Sequence, residues 1–255
     1  MVNAQEWLDK NYPKNPRSLW TKKRHQITEL NINSQDLEGE LDLSDFTNLE
    51  RLDCSFNKLT SLNISGCWKL KYLVVNNNLI TELDFSNLAE LVEIDIFNNN
   101  FPEQDLSVFS SLTNLEKLWI GNYDEEKIQQ DIYNRFVGSF EPLKNLNKLK
   151  EVSIHSTDLE SGLEYLPESV ETFYCYNRAR PEAKVEKITE ILKPYQQLDK
   201  FFLPRKYNVK KWKQDNFYLI ERSKELDEAK KKILELQRKV TELENQQLQN
   251  QQLFI

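Results

Sequence analysis

The strongest constraint on this chain is a motif that returns about every twenty-one residues. Leu49-x-x-Leu52-x-Cys54-x-x-Asn57-x-Leu59 recurs as Leu70-x-x-Leu73-x-Val75-x-x-Asn78-x-Ile80, and again as Leu91-x-x-Ile94-x-Ile96-x-x-Asn99-x-Phe101. Looser copies start at Ile27, Leu115, Leu149 and Val170, with Gln35, Tyr123, Thr157 and Arg178 in the asparagine place. Successive starts lie 22, 21, 21, 24, 34 and 21 residues apart, so one copy carries an insertion, assigned to Gly121–Arg135. Upstream of the strands a second signature repeats: Asp42-Leu43-Ser44, Asn63-Ile64-Ser65, Asp84-Phe85-Ser86 and Asp105-Leu106-Ser107. Within each motif the alternation of apolar and variable residues, as in Leu73-Val74-Val75, predicts a short strand with one face buried. No single copy can bury that face alone, so the copies must stack into one continuous apolar ladder. Asn57, Asn78 and Asn99 fall where the chain leaves the strand. A carboxamide there can satisfy backbone groups of adjacent turns that would otherwise be buried unpaired. Loss of asparagine after Asn99 predicts a less regular ladder in the C-terminal half.

These residues reproduce L-x-x-L-x-L-x-x-N-x-L, and residues 27–180 resemble a leucine-rich-repeat array. The resemblance implies an α/β solenoid: a curved stack of about seven repeats with a parallel concave sheet, helical caps and a long C-terminal helix. Leu37-Glu38-Gly39-Glu40-Leu41 and Phe136-Val137-Gly138-Ser139-Phe140 look like the variant with a second short strand after the main one. An open stack needs covered ends. Residues 1–26 read as an N-terminal helical cap, with Trp7, Leu8 and Tyr12 on one side and Pro13 stopping the helix. Residues 181–204 read as a C-terminal capping helix begun by Pro181, with Val185, Ile188, Ile191 and Leu192 as its apolar stripe. Leu198, Phe201, Phe202 and Leu203 follow as a hydrophobic plug. Together with Asn3–Arg17, the repeats are similar to an expanded fungal family of leucine-rich-repeat proteins. Some members of that family place protein-kinase-like domains beside the repeats. This chain has no H-R-D, D-F-G or A-P-E motif, so no kinase activity carries over.

Composition narrows the function. A balance of 34 basic against 41 acidic residues disfavours a general nucleic-acid binder. Five glycines leave no room for G-x-G-x-x-G, G-x-x-x-x-G-K-[ST] or G-x-S-x-G. Cys54, Cys67 and Cys175 show no C-x-x-C spacing. Two histidines, His25 and His155, form no H-E-x-x-H, so neither a metal site nor a cofactor is expected. Cys54 and Cys175 fall at inward strand positions and are expected in the core, and His155 at the surface. The N-terminus lacks a basic start followed by an apolar run, and no stretch is long and apolar enough to span a bilayer, so a cytoplasmic setting is expected.

Beyond residue 205 the charge changes sign. Residues 205–255 hold 12 basic and 8 acidic residues, leaving 22 − 33 = −11 for the remainder. Residues 205–255 are therefore set apart as a basic linker and a coiled-coil helix. The cluster Arg205–Lys213 is read first as a solvated link, with a nuclear import signal, an anionic-lipid contact or a nucleic-acid contact as rivals. A heptad follows, with Leu219, Leu226, Ile233 and Val240 at a and Arg222, Ala229, Leu236 and Leu243 at d. In a parallel pair Glu225 meets Lys230 and Lys239 meets Glu244 across the seam, which favours a marginal homodimer. The glutamine-rich stretch Gln246–Gln252 is expected to fray.

The outward strand column is the candidate site. Tyr72, Val74, Phe97 and Trp119 lie on three strands, with Phe56 and Asp95 at the margins. Large rigid side chains on an exposed sheet give interface area at modest entropic cost. The expected function is a non-enzymatic scaffold that binds an unidentified protein on this face and self-associates through its tail. Rival readings are a regulatory arm for a kinase-like partner and a nucleic-acid-associated factor.

Overall fold

The computed structural model describes residues 2–14, 22–177, 180–197 and 206–252. It contains two compact units, Met1–Lys210 and Lys211–Ile255. In the first, seven motif centres form parallel strands: β1 Glu29–Asn31, β2 Arg51–Asp53, β3 Tyr72–Val74, β4 Glu93–Asp95, β5 Lys117–Trp119, β6 Glu151–Ser153 and β7 Thr172–Tyr174. They pair in chain order with no shift of register, Leu30 beside Leu52, Leu73, Ile94, Leu118, Val152 and Phe173. Every residue of that row is buried. Full burial of one such side chain contributes roughly 1.5–3 kcal/mol, and it is available only while the neighbouring repeat is in place.

The opposite side of the stack is built from the upstream signatures. Ser44, Ser65, Ser86 and Ser107 each donate a backbone N–H to the carboxamide or carboxylate two residues before, at 2.9–3.1 Å. Each turn drives its middle residue (Leu43, Ile64, Phe85 and Leu106) into the core. Where L-x-G-x-L occurs the chain adds a further strand. Leu37–Asp42 pairs in parallel with Val2–Asn3 and Lys58–Asn63, and Val137–Ser139 pairs with Asp158–Ser161.

At the front, α1 (Ala4–Asn11) is capped by Asn3, whose side chain accepts the Glu6 N–H at 2.9 Å. It buries Ala4 and Leu8, while Trp7 and Tyr12 are half-buried. Arg24 is buried beneath this end, donating to the Tyr12 carbonyl and pairing with Asp9 and Asp45. The insertion contains α2 (Glu125–Gln129).

At the back, α3 (Val185–Leu192) begins four residues later than Pro181. It buries Val185, Ile188, Thr189 and Leu192. Ile191 is exposed, contrary to the expected stripe, because six residues of helix carry it about 240° round from Val185. The sheet then continues past β7. Lys206–Tyr207 pairs antiparallel with both β7 and Gln196–Gln197. Within the stretch expected to be linker, Lys206–Tyr207 is thus a strand of the repeat unit. The expected plug of Leu198, Phe201, Phe202 and Leu203 lies outside the described residues.

Chain downstream forms α4 (Val209–Asp215) and α5 (Phe217–Gln252). On α5, Leu226, Ile233, Leu236, Val240 and Leu243 are each more than half exposed. No helix among the described residues is long and apolar enough to cross a membrane.

Candidate functional site

Three outward columns cross the open face of the sheet. The column through motif position three is charged or aromatic from β1 to β6, and its members from β2 to β6 are paired. Arg51 lies over the Tyr72 ring at 3.8 Å, and Lys117 bonds Glu93 at 3.2 Å while lying 5.7 Å from the Trp119 ring. The Trp119 indole donates to Glu151 at 3.0 Å. Tyr72, Val74 and Trp119 are half-buried and open to this face, as expected.

Phe97 and Asp95 differ from expectation. Both are buried, at 8% and 6% exposure. The reason for Phe97 lies in the next repeat, where the equivalent position is Gly121. A Cβ on Gly121 would stand 2.7 Å from the Phe97 ring and 2.3 Å from the His155 backbone. The absent side chain lets Phe97 lie between Trp119, Tyr123 and His155, with ring centroids 6.4, 5.3 and 5.9 Å away. His155, expected at the surface, is only 5% exposed and also neighbours Tyr174 at 6.5 Å. Desolvation depresses its pKa to about 4, and its Nδ1 has no hydrogen-bond partner among the described residues.

Asp95 ends a chain of side-chain hydrogen bonds. Asn76 donates to its carboxylate and Asn77 donates to Asn76 at 2.8 Å. Asn98 donates to Asn77 at 2.9 Å, and the Tyr123 and Asp124 amides donate to Asn98 at 2.8 and 3.2 Å. Burial raises the Asp95 pKa to about 6, Glu93 and Asp53 add repulsion, and the bonds from the Phe97 amide and Asn76 oppose the rise. Lys127 of α2 donates to the Asn78 and Asn98 carbonyls at 2.8 and 3.0 Å, and burial lowers its pKa.

The buried asparagine ladder runs further than the sequence reading allowed. Asn78 donates to the carbonyls of Cys54 and Val75 and accepts from Leu59, and Asn99 repeats this with Val75, Ile96 and Ile80. Asn134 then donates to the Ile96 and Ile120 carbonyls at 2.8 and 3.1 Å and accepts from Phe101 at 3.4 Å. Asn134, eleven positions beyond Tyr123, is therefore the ladder asparagine of the fifth repeat. The insertion sits between strand and ladder, not across the whole of Gly121–Arg135. In the sixth repeat Thr157 takes the place, donating to the Ile154 carbonyl. Arg178, the seventh candidate, lies outside the described residues.

The cysteines are core groups. Cys54, Cys67 and Cys175 are buried, and burial pushes the Cys67 thiol up to about 12 and raises Cys54 as well. Among the described residues no group of three or more histidine, cysteine or carboxylate side chains could hold a metal ion.

Residues 47–90 match the sequence model of the family described as Leucine Rich repeats (2 copies). This part of the chain consists of leucine-rich repeats. The matched residues run from just before β2 to just before β4 and include the Asn57 and Asn78 rungs. Solved leucine-rich-repeat structures resemble the chain more broadly. An internalin (inlF) from Listeria monocytogenes is 21% identical over 65% of this chain and 53% of its own, with a TM-score of 0.40. Internalin C2 from the same organism is 16% identical over 64% of this chain and 76% of its own, with a TM-score of 0.42. The leucine-rich-repeat ectodomain of the plant membrane receptor kinase GASSHO1/SCHENGEN3 from Arabidopsis thaliana is 24% identical over 58% of this chain and 21% of its own, at 0.44. The chain thus spans about half the length of the first internalin and about a fifth of the plant ectodomain. No curated protein matches the sequence. Leucine-rich repeats typically mediate protein–protein interaction, and their fold is generally non-enzymatic.

Proposed function

We propose that this chain is a non-enzymatic scaffold that holds a protein partner on the open face of its parallel sheet and self-associates through α5. The observation that carries the reading is the middle of that face, where Tyr72, Val74 and Trp119 stay half-open to solvent on β3 and β5. Apolar and aromatic surface held on a rigid sheet suits protein recognition, because little side-chain entropy remains to be lost on docking. A cytoplasmic setting accords with three free, buried thiols.

The test pairs two variants with affinity capture and crosslinking. Val74→Lys projects a charge from the centre of the face without removing packing. Trp119→Ala removes the indole, and its lost contact with Phe97 costs about 1 kcal/mol of stability. Both are expected to reduce partner capture by at least roughly tenfold. Undiminished capture by Val74→Lys would reject the open face as the binding surface.

Self-association is favoured by a specific feature of α5. Its apolar positions Leu226, Ile233, Leu236, Val240 and Leu243 recur at heptad spacing and are all solvent-exposed in the single chain. Lys230 and Lys239 flank that seam and bond Asp227 and Glu235 within the same helix, which keeps the helix formed before it pairs.

A further inference from the structure

The eighth residue of a repeat, just past the strand, is held in the left-handed region. Ser34, Phe56, Asn77, Asn98 and Ser156 have φ between +49° and +57°. Serine and asparagine suit this position, because a short polar side chain tolerates the crowding and bonds nearby backbone. A phenylalanine there is a steric outlier. Phe56 is also the most exposed large hydrophobic side chain of the repeat unit among the described residues, at 58%. It makes no ring or cation contact among those residues, whereas Tyr72 lies under Arg51 and Trp119 is bonded to Glu151. The chain therefore bears backbone strain and exposed apolar surface at one residue, with no ring or cation contact among the described residues to offset either.

The surroundings of Phe56 are specific. Its amide bonds the Asn76 carbonyl, so Asn77 is its neighbour on the next strand, about 5 Å along the rim. On the far side of Asn77 stands Tyr123, half exposed, its hydroxyl 3.5 Å from the Asn77 carboxamide. The Asn98 bonds to the Tyr123 and Asp124 amides fix the insertion in that place. Two aromatic rings thus flank Asn77 on one rim. Beside them the first turn of α2 presents Glu125 and Glu126, with Asp124 as its cap. The helix's one cation, Lys127, is turned inward onto the Asn78 and Asn98 carbonyls. The outer surface next to the rings is left acidic.

We propose that Phe56 and Tyr123 anchor a docking rim for an extended protein segment that presents an apolar side chain followed by lysine or arginine. The apolar side chain seats against the two rings, and the cation faces Glu126. This inference rests on the reading of the chain as a protein-binding scaffold and adds an anchor at the edge of the sheet to the surface at its centre.

A random dodecapeptide phage library selected on the full chain, with enriched peptides synthesised and titrated by fluorescence anisotropy, tests it. Enriched sequences are expected to pair an apolar residue with lysine or arginine. Phe56→Asn, which installs the residue found at two equivalent positions, is expected to weaken them at least roughly tenfold while its melting temperature holds or rises. Glu126→Gln is expected to weaken them about threefold, and less at high salt. A lowered melting temperature in Phe56→Asn shows a structural ring and overturns the proposal. So does binding within twofold of wild type, or enrichment of acidic peptides, or no enrichment at all. Peptides lost by Val74→Lys but kept by Phe56→Asn overturn the rim while leaving the scaffold reading intact.

Discussion

Replacing Asp95 with asparagine separates two titrations that nearly cancel in the wild-type chain. The folded pKa of Asp95 is raised to about 6 from an unfolded value of about 3.9, so the folded state binds its proton more readily than the unfolded state. Its contribution favours folding at low pH and is lost as pH rises through 6. His155 runs the other way. Its folded pKa is depressed to about 4 from about 6.5, so the stability it supplies is complete above pH 6.5 and is lost as pH falls toward 4. Between pH 7 and pH 5, Asp95 alone adds about 1 kcal/mol and His155 alone removes about 2 kcal/mol. The wild-type chain should therefore lose less than about 1 kcal/mol over that interval. Asp95→Asn leaves only the histidine and should lose about 2 kcal/mol. His155→Gln leaves only the carboxylate and should become more stable on acidification, by about 1 kcal/mol. Both groups are buried, so solvent screening removes little of these values. Urea unfolding followed by tryptophan fluorescence at pH 5, 6 and 7 gives the slopes. The comparison of slopes is insensitive to any constant loss caused by either substitution. Parallel slopes for the wild type and both variants would refute the burial of these groups as the source of their shifts.

Two further outcomes follow from the packing. Asn134→Ala strands the Ile120 carbonyl and the Phe101 amide, leaves the Ile96 carbonyl only its bond from Asn99, and should cost about 2–4 kcal/mol in urea unfolding, whereas Tyr123→Ala, in the motif's nominal asparagine place, should cost under about 1 kcal/mol. A chain ending at Lys210, which retains the Lys206–Tyr207 strand, should sediment as a monomer at concentrations where the full chain forms dimers. Equal sedimentation of the two would remove α5 as an association element.

The strands were legible because a stack imposes one requirement on every copy. A residue whose neighbours above and below are its own equivalents must be apolar, and the Leu52, Leu73, Ile94 row satisfies this seven times over. The same logic made Asn57, Asn78 and Asn99 readable as rungs. It failed at Asn134 because counting along the chain cannot see a loop that leaves the stack and returns. The signal was present in another form. Asn134-Arg135-Phe136 follows the insertion as Asn99-Asn100-Phe101 follows β4, so aligning on what comes after the asparagine would have found it. The site residues were harder, since outwardness on a strand does not mean exposure. Phe97 faces outward yet is buried, and the cause is a glycine one strand over, twenty-four residues away. Burial there depends on a pair of positions, and a single sequence read column by column weighs each alone. Phe56 is the converse. Its strand exit could be placed from the motif, but its left-handed backbone and its exposure appear only in three dimensions. Where the stack's rule and the residue disagree, as at Phe56, the repeat itself gives no reason for the choice, and the proposed docking rim would supply one.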